Sequence, residues 1–120
     1  MDVYLNLIAL KGPEDLQREV IVENSLTVRP DWKIFEQILS PGGIKTTVTP
    51  EEFLLKRPSL ETLWEITATR RDAFGRELTF SWAKDLRNLE WPEDTSPINP
   101  AIKAFIEALP DNIPIILFWC

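Results

Sequence analysis

The stretch TLWEITATRRDAFGRELTFSWA, Thr62 to Ala83, holds two alternating runs on either side of a turn. Trp64, Ile66 and Ala68 alternate with Glu65, Thr67 and Thr69. Beyond Asp72-Ala73-Phe74-Gly75, Leu78, Phe80 and Trp82 alternate with Glu77, Thr79 and Ser81. Successive side chains of a strand point to opposite faces, so this period of two sets an apolar face against a polar one on both arms. The spacing predicts a β-hairpin over about 62–83, with Arg70, Arg71 and Arg76 flanking its turn.

Toward the C-terminus, Lys84 to Thr95 is polar and irregular. Asn99-Pro100 suits a helix start, and Ile102, Phe105, Ile106 and Leu109 recur at three- and four-residue spacing. Pro110-Asp111-Asn112 stops that helix. Ile113 to Trp119 then reads as a closing strand, with Pro114 confined to its beginning or to an edge.

Toward the N-terminus, Thr49-Pro50-Glu51-Glu52 has the Thr-x-x-Glu form of a capping box and predicts a short helix from Pro50 to about Lys56. Ile44 to Val48 is a short strand or an extended connection. Pro30-Asp31 opens an amphipathic helix whose apolar face is Trp32, Phe35, Ile38 and Leu39, and Ser40-Pro41-Gly42-Gly43 ends it. Val20, Val22, Leu26 and Val28 mark one bent strand or two short ones, and Val3 to Leu10 a strand apolar on both faces. The expected fold is a single α+β domain, residues 1–120. It has a mainly antiparallel sheet around the central hairpin and two to three short amphipathic helices.

Composition narrows the function. The chain has 120 residues, 44% of them hydrophobic and 27% charged, as expected of a packed globular domain. Its one cysteine, Cys120, permits no internal disulfide, and packing as a small hydrophobe suits it better than reactivity. Met1-Asp2-Val3-Tyr4 lacks the basic start of a signal peptide. The longest apolar run, Ile113 to Cys120, falls far short of the roughly 20 residues that cross a bilayer. A cytoplasmic chain with no membrane partner is expected. With 13 basic and 19 acidic residues the net charge is −6, which makes nucleic acid a poor partner.

There is no histidine. Ser-His-Asp and Cys-His catalysis are therefore closed to the chain, and transition metals lose their commonest ligand. Gly12, Gly42, Gly43 and Gly75 form no phosphate-binding motif. Carboxylates alone can run glycoside hydrolysis, but no spacing identifies such a pair, so a small carboxylate-dependent enzyme ranks below the other readings. The expected function is non-catalytic, with no cofactor: binding of a protein partner. Two surfaces offer themselves. One is an acidic loop in which Trp91 stands among Glu90, Glu93 and Asp94, since tryptophan is enriched at binding hot spots. The other is the hairpin tip, where Arg70, Arg71 and Arg76 surround Phe74. An alternative use of Glu90, Glu93 and Asp94 is calcium binding, because calcium takes carboxylate oxygens from flexible loops. Trp32, Trp64 and Trp82 lie on apolar faces and are assigned to core packing.

Overall fold

The structure is a computed structural model and describes residues 3–10, 26–28, 30–58, 66–92 and 97–120. Along the chain come β1 (Leu5–Ala9), β2 (Leu26–Val28), α1 (Trp32–Leu39) and β3 (Thr47–Val48). A 3-10 turn at Glu51–Phe53 leads into β4 (Leu55–Pro58), followed by β5 (Ile66–Thr69), β6 (Thr79–Trp82), α2 (Ala83–Leu86), α3 (Ile98–Ala108) and β7 (Pro114–Trp119). Five strands form one antiparallel sheet in the order β2-β1-β7-β6-β3, and β4 pairs with β5 apart from it. With its three helices this is an α+β fold.

β1 and β7 lie side by side in the middle of the sheet, with Leu5 opposite Trp119 and Ala9 opposite Ile115. Their apolar character on both faces follows from that position. Leu5, Leu7 and Ala9 join Ile115, Leu117 and Trp119 in packing against Ile34, Phe35 and Ile38 of α1 and Ile102 and Ile106 of α3. The alternate residues Ile8, Leu10 and Ile116 face the other way, onto Leu78, Phe80 and Phe53. There the rings of Phe53, Phe80 and Trp82 meet edge to face, with centroids 5.3–5.8 Å apart, the geometry that the aromatic quadrupole favours. Pro114 is the first residue of β7, where its missing N–H does no harm.

The helices are held at their ends. Asp31 is the N-cap of α1, its carboxylate accepting from the Lys33 N–H at 2.9 Å. α3 starts one residue before the expected Asn99 and takes Pro100 into its first turn, where an N–H would have no intrahelical partner. At its other end Arg87 donates to the carbonyls of Ile106 and Leu109 and pairs with Asp111, a cation set against exposed helix carbonyls. Arg87 follows α2, a single turn within a segment that reads as irregular.

Two local expectations are corrected. The hairpin keeps its turn, with Arg71 bridged to Glu77 and the Leu78 N–H donating to the Arg70 carbonyl, but its arms do not form one ladder. A strand has two edges, and both edges of β6 are taken: β7 pairs along all four of its residues, and β3 pairs with Thr79 and Phe80. β5 therefore leaves to pair with β4. The capping box also fails to form. The Thr49 N–H is spent on the Leu78 carbonyl at 2.8 Å, and Pro50, without a side-chain cap, opens only a 3-10 turn before the chain extends into β4. Strand pairing overrides a local helix signal here. The expected strand positions Val20 and Val22, and Trp64 on the hairpin arm, lie outside the described residues.

Candidate functional site

The hairpin tip is a closed turn built by Asp72. This aspartate is buried, and its Oδ1 accepts from the N–H groups of Phe74 (2.8 Å) and Arg76 (3.1 Å). Its backbone N–H donates to the Arg76 carbonyl and its carbonyl accepts from Gly75, which sits at φ 78°, a conformation that favours glycine. Arg71 closes the turn from outside by donating to the Gly75 carbonyl at 2.8 Å. The Ala73 N–H donates to the Trp119 carbonyl at 3.0 Å, which fixes the tip against the end of β7. The sequence places Asp72 in the turn, and Asp-x-x-Gly is the form of a turn that the aspartate side chain itself stabilises.

Held there, the tip forms one wall of a groove of about 460 Å³, to which it contributes Phe74 and Arg76. The opposite wall is α1, with Trp32, Phe35 and Leu39, one to two turns apart on the helix. Trp119 forms part of the floor, its ring edge to face with Phe35 at 5.0 Å. Val3 and Pro30 complete the apolar lining, and Asp31 stands at the helix end.

The expected place of Trp32 in the core is overturned: it is 68% exposed. α1 buries Ile34, Phe35 and Ile38. At 3.6 residues per turn, Trp32 and Leu39 project roughly 90–115° from the middle of that stripe. They cannot share the core and instead flank the groove. Trp82, by contrast, is half-buried in the aromatic cluster as expected.

The three arginines of the tip separate. Arg70 and Arg71 line a second, smaller hollow with Thr49 and Leu54. Arg70 donates to both carboxylate oxygens of Glu51, at 2.6 and 2.8 Å. That hydrogen bond, and then the charge of Glu51, raise the Arg70 pKa above its ordinary value. Arg76 lines the main groove and also a smaller hollow beside it with Asp72 and Glu77, and its guanidinium has no hydrogen-bond or ion-pair partner among the described residues.

The other predicted surface lies elsewhere. Trp91 is half-buried against the helix-side core, and Glu90 is tied to α1 through its backbone, while neither lines the groove. Glu93 and Asp94 fall outside the described residues. Among the described residues no three acidic or cysteine side chains gather as a metal would need, and no helix is long and apolar enough to cross a membrane. Cys120 is half-buried, and its Sγ accepts from Asn6 Nδ2 at 2.9 Å. No family model, curated protein or solved structure matches the chain.

Proposed function

We propose that this chain is a non-catalytic protein-binding domain whose partner-facing surface is the groove between α1 and the hairpin tip. The observation that carries this reading is a concentration of apolar surface. Of the six large apolar side chains exposed among the described residues, four (Val3, Trp32, Leu39 and Phe74) line this one groove. Single exposed apolar residues are ordinary, whereas a contiguous patch rimmed by polar groups marks an interaction surface. Tryptophan and arginine, both present here, are the residues most enriched at binding hot spots.

The test is photo-cross-linking in the intact chain. Benzoylphenylalanine in place of Phe74 should give a discrete product with a partner in an extract of the native host. The same group in place of the exposed Ala104 on α3 should not, and Trp32→Ala should abolish the product. Equal products at both positions, or a product indifferent to Trp32→Ala, would reject the reading.

A further inference from the structure

We infer that the groove takes a short linear peptide segment of a partner protein, in which a bulky apolar side chain seats against Trp119 and a nearby aspartate or glutamate pairs with Arg76. The inference rests on the groove being the partner-facing surface and adds the chemistry of what enters it.

Three observations select that occupant. The first is charge. Asp31 is already engaged as the cap of α1, where the Lys33 N–H and the positive end of the helix dipole answer its charge. Arg76 has no such answer: Asp72 and Glu77 share a smaller hollow with it, but Asp72 Oδ1 is engaged by the backbone N–H groups of the turn, and no carboxylate is bonded to the guanidinium among the described residues. Arginine pairs with carboxylate through two parallel hydrogen bonds, so an acidic side chain on the occupant supplies what the groove lacks.

The second is the backbone. β7 is paired on both edges, by β1 and β6, and its Trp119 carbonyl accepts from Ala73. The other walls are a helix and a closed turn. A peptide finds no open ladder to extend, so side chains must carry recognition.

The third is size. About 460 Å³ accommodates one or two large side chains. A stable dimer of this chain would have to bury roughly 800 Å² on each copy, a far larger surface than one or two side chains cover. A compact small-molecule ligand fits less well, because pockets for such ligands enclose most of their surface, whereas Trp32 and Phe74 leave this groove open to solvent.

The experiment selects a phage-displayed library of random heptapeptides against the full chain, with Trp32→Ala as the counter-target. Enriched peptides should carry a bulky apolar residue with aspartate or glutamate within three positions. Changing that acid to its amide should weaken binding about three- to tenfold, the range for a partly exposed ion pair. Arg76→Gln should cause the same loss, and the two changes together should cost no more than either alone. Selection on Arg76→Glu should shift the preference to lysine and arginine. Enriched peptides without an acid preference, or the same peptides enriched on Arg76→Glu, overturn the inference. A dimer in sedimentation that disappears in Trp32→Ala overturns it too, since a second copy would then fill the groove. If no peptide is enriched while the cross-link at position 74 persists, the peptide chemistry is wrong and the binding surface stands. Peptides that bind Trp32→Ala equally well remove the surface itself.

Discussion

Gln37 and Glu90 exchange two hydrogen bonds, side chain to backbone: Gln37 Nε2 donates to the Glu90 carbonyl at 2.8 Å, and the Glu90 N–H donates to Gln37 Oε1 at 2.7 Å. The amide thus treats Glu90 as a neighbouring strand would, and ties the approach to Trp91 onto α1. In Gln37→Ala the freed groups of Glu90, on an exposed residue, can turn to water, so the cost to stability should be small, about 1 kcal/mol. The local effect should be larger. Amide hydrogen exchange at Glu90 should accelerate while protection in the buried part of α1 holds, and an unchanged rate at Glu90 would show that the link does not hold the loop.

Trp32 and Trp119 line one groove but should differ sharply in what they do for the fold. Trp119 is 8% exposed and packs on Phe35, so Trp119→Ala should cost about 3–5 kcal/mol. Trp32 is 68% exposed, and Trp32→Ala should stay within about 0.5 kcal/mol of the parent protein. Urea unfolding of the two variants checks the contrast. A large loss for Trp32→Ala would mean that the side chain packs rather than waits for a partner.

What the residues reveal in advance and what they conceal divide along one line. β1, β7, α1 and α3 are readable because each carries its own stop signals and its own period, with Pro114 even marking the first residue of β7. The hairpin turn is readable for the same reason, from Asp72 and Gly75. The fate of its arms is not, because it depends on which strands already occupy the edges of β6. Phe74 and Arg76 stand out as a basic, aromatic tip, whereas the facing wall does not. Trp32 looks like core until Ile34 is counted, and only the placement of Trp119 beside it turns the leftover stripe of α1 into a groove. Local chemistry is legible one segment at a time, and a site formed by three segments is not.

The Arg70–Glu51 pair should be nearly silent in stability measurements. A cation whose folded pKa lies above its unfolded one contributes its full stabilisation below the unfolded value and loses it only as pH rises through the folded one. For Arg70, raised by Glu51, that loss falls in strong alkali. The guanidinium therefore adds no slope between about pH 6 and 10. Both side chains are also more than half exposed and screened by solvent. Urea midpoints for Arg70→Gln and the parent protein should coincide across this range, and a gap that widens with rising pH would contradict the assignment.

Thr49 presents the opposite case, a polar group whose removal should help. Its side chain is buried, and Oγ1 has no hydrogen-bond partner among the described residues. A buried hydroxyl left unpaired costs about 1–3 kcal/mol. Thr49→Val keeps the branched shape and deletes that cost, so it should leave stability unchanged or raise it by about 1 kcal/mol in urea unfolding. A loss above about 1 kcal/mol would show that the hydroxyl is bonded after all.

Gly43 should tolerate no side chain, for a reason distinct from that of its neighbour. Gly42 has φ 82° with open space around it, so Gly42→Ala meets only the strain of the left-handed conformation, about 1 kcal/mol. At Gly43 an added Cβ would lie 2.0 Å from the Gln37 carbonyl oxygen, which already accepts from the Ile44 N–H at 2.7 Å. The obstacle is backbone, so no rotamer change relieves it. Gly43→Ala must push the chain away from the end of α1, breaking the turn that stops the helix. Overpacking of this kind costs about 1–3 kcal/mol. The loss should also spread to the Gln37–Glu90 link, because the carbonyl that the new Cβ meets belongs to Gln37. Thermal unfolding should therefore rank Gly43→Ala below Gly42→Ala, and amide exchange at Glu90 should quicken in Gly43→Ala alone. Equal melting temperatures for the two variants would mean that the end of α1 yields more easily than its hydrogen bonds imply.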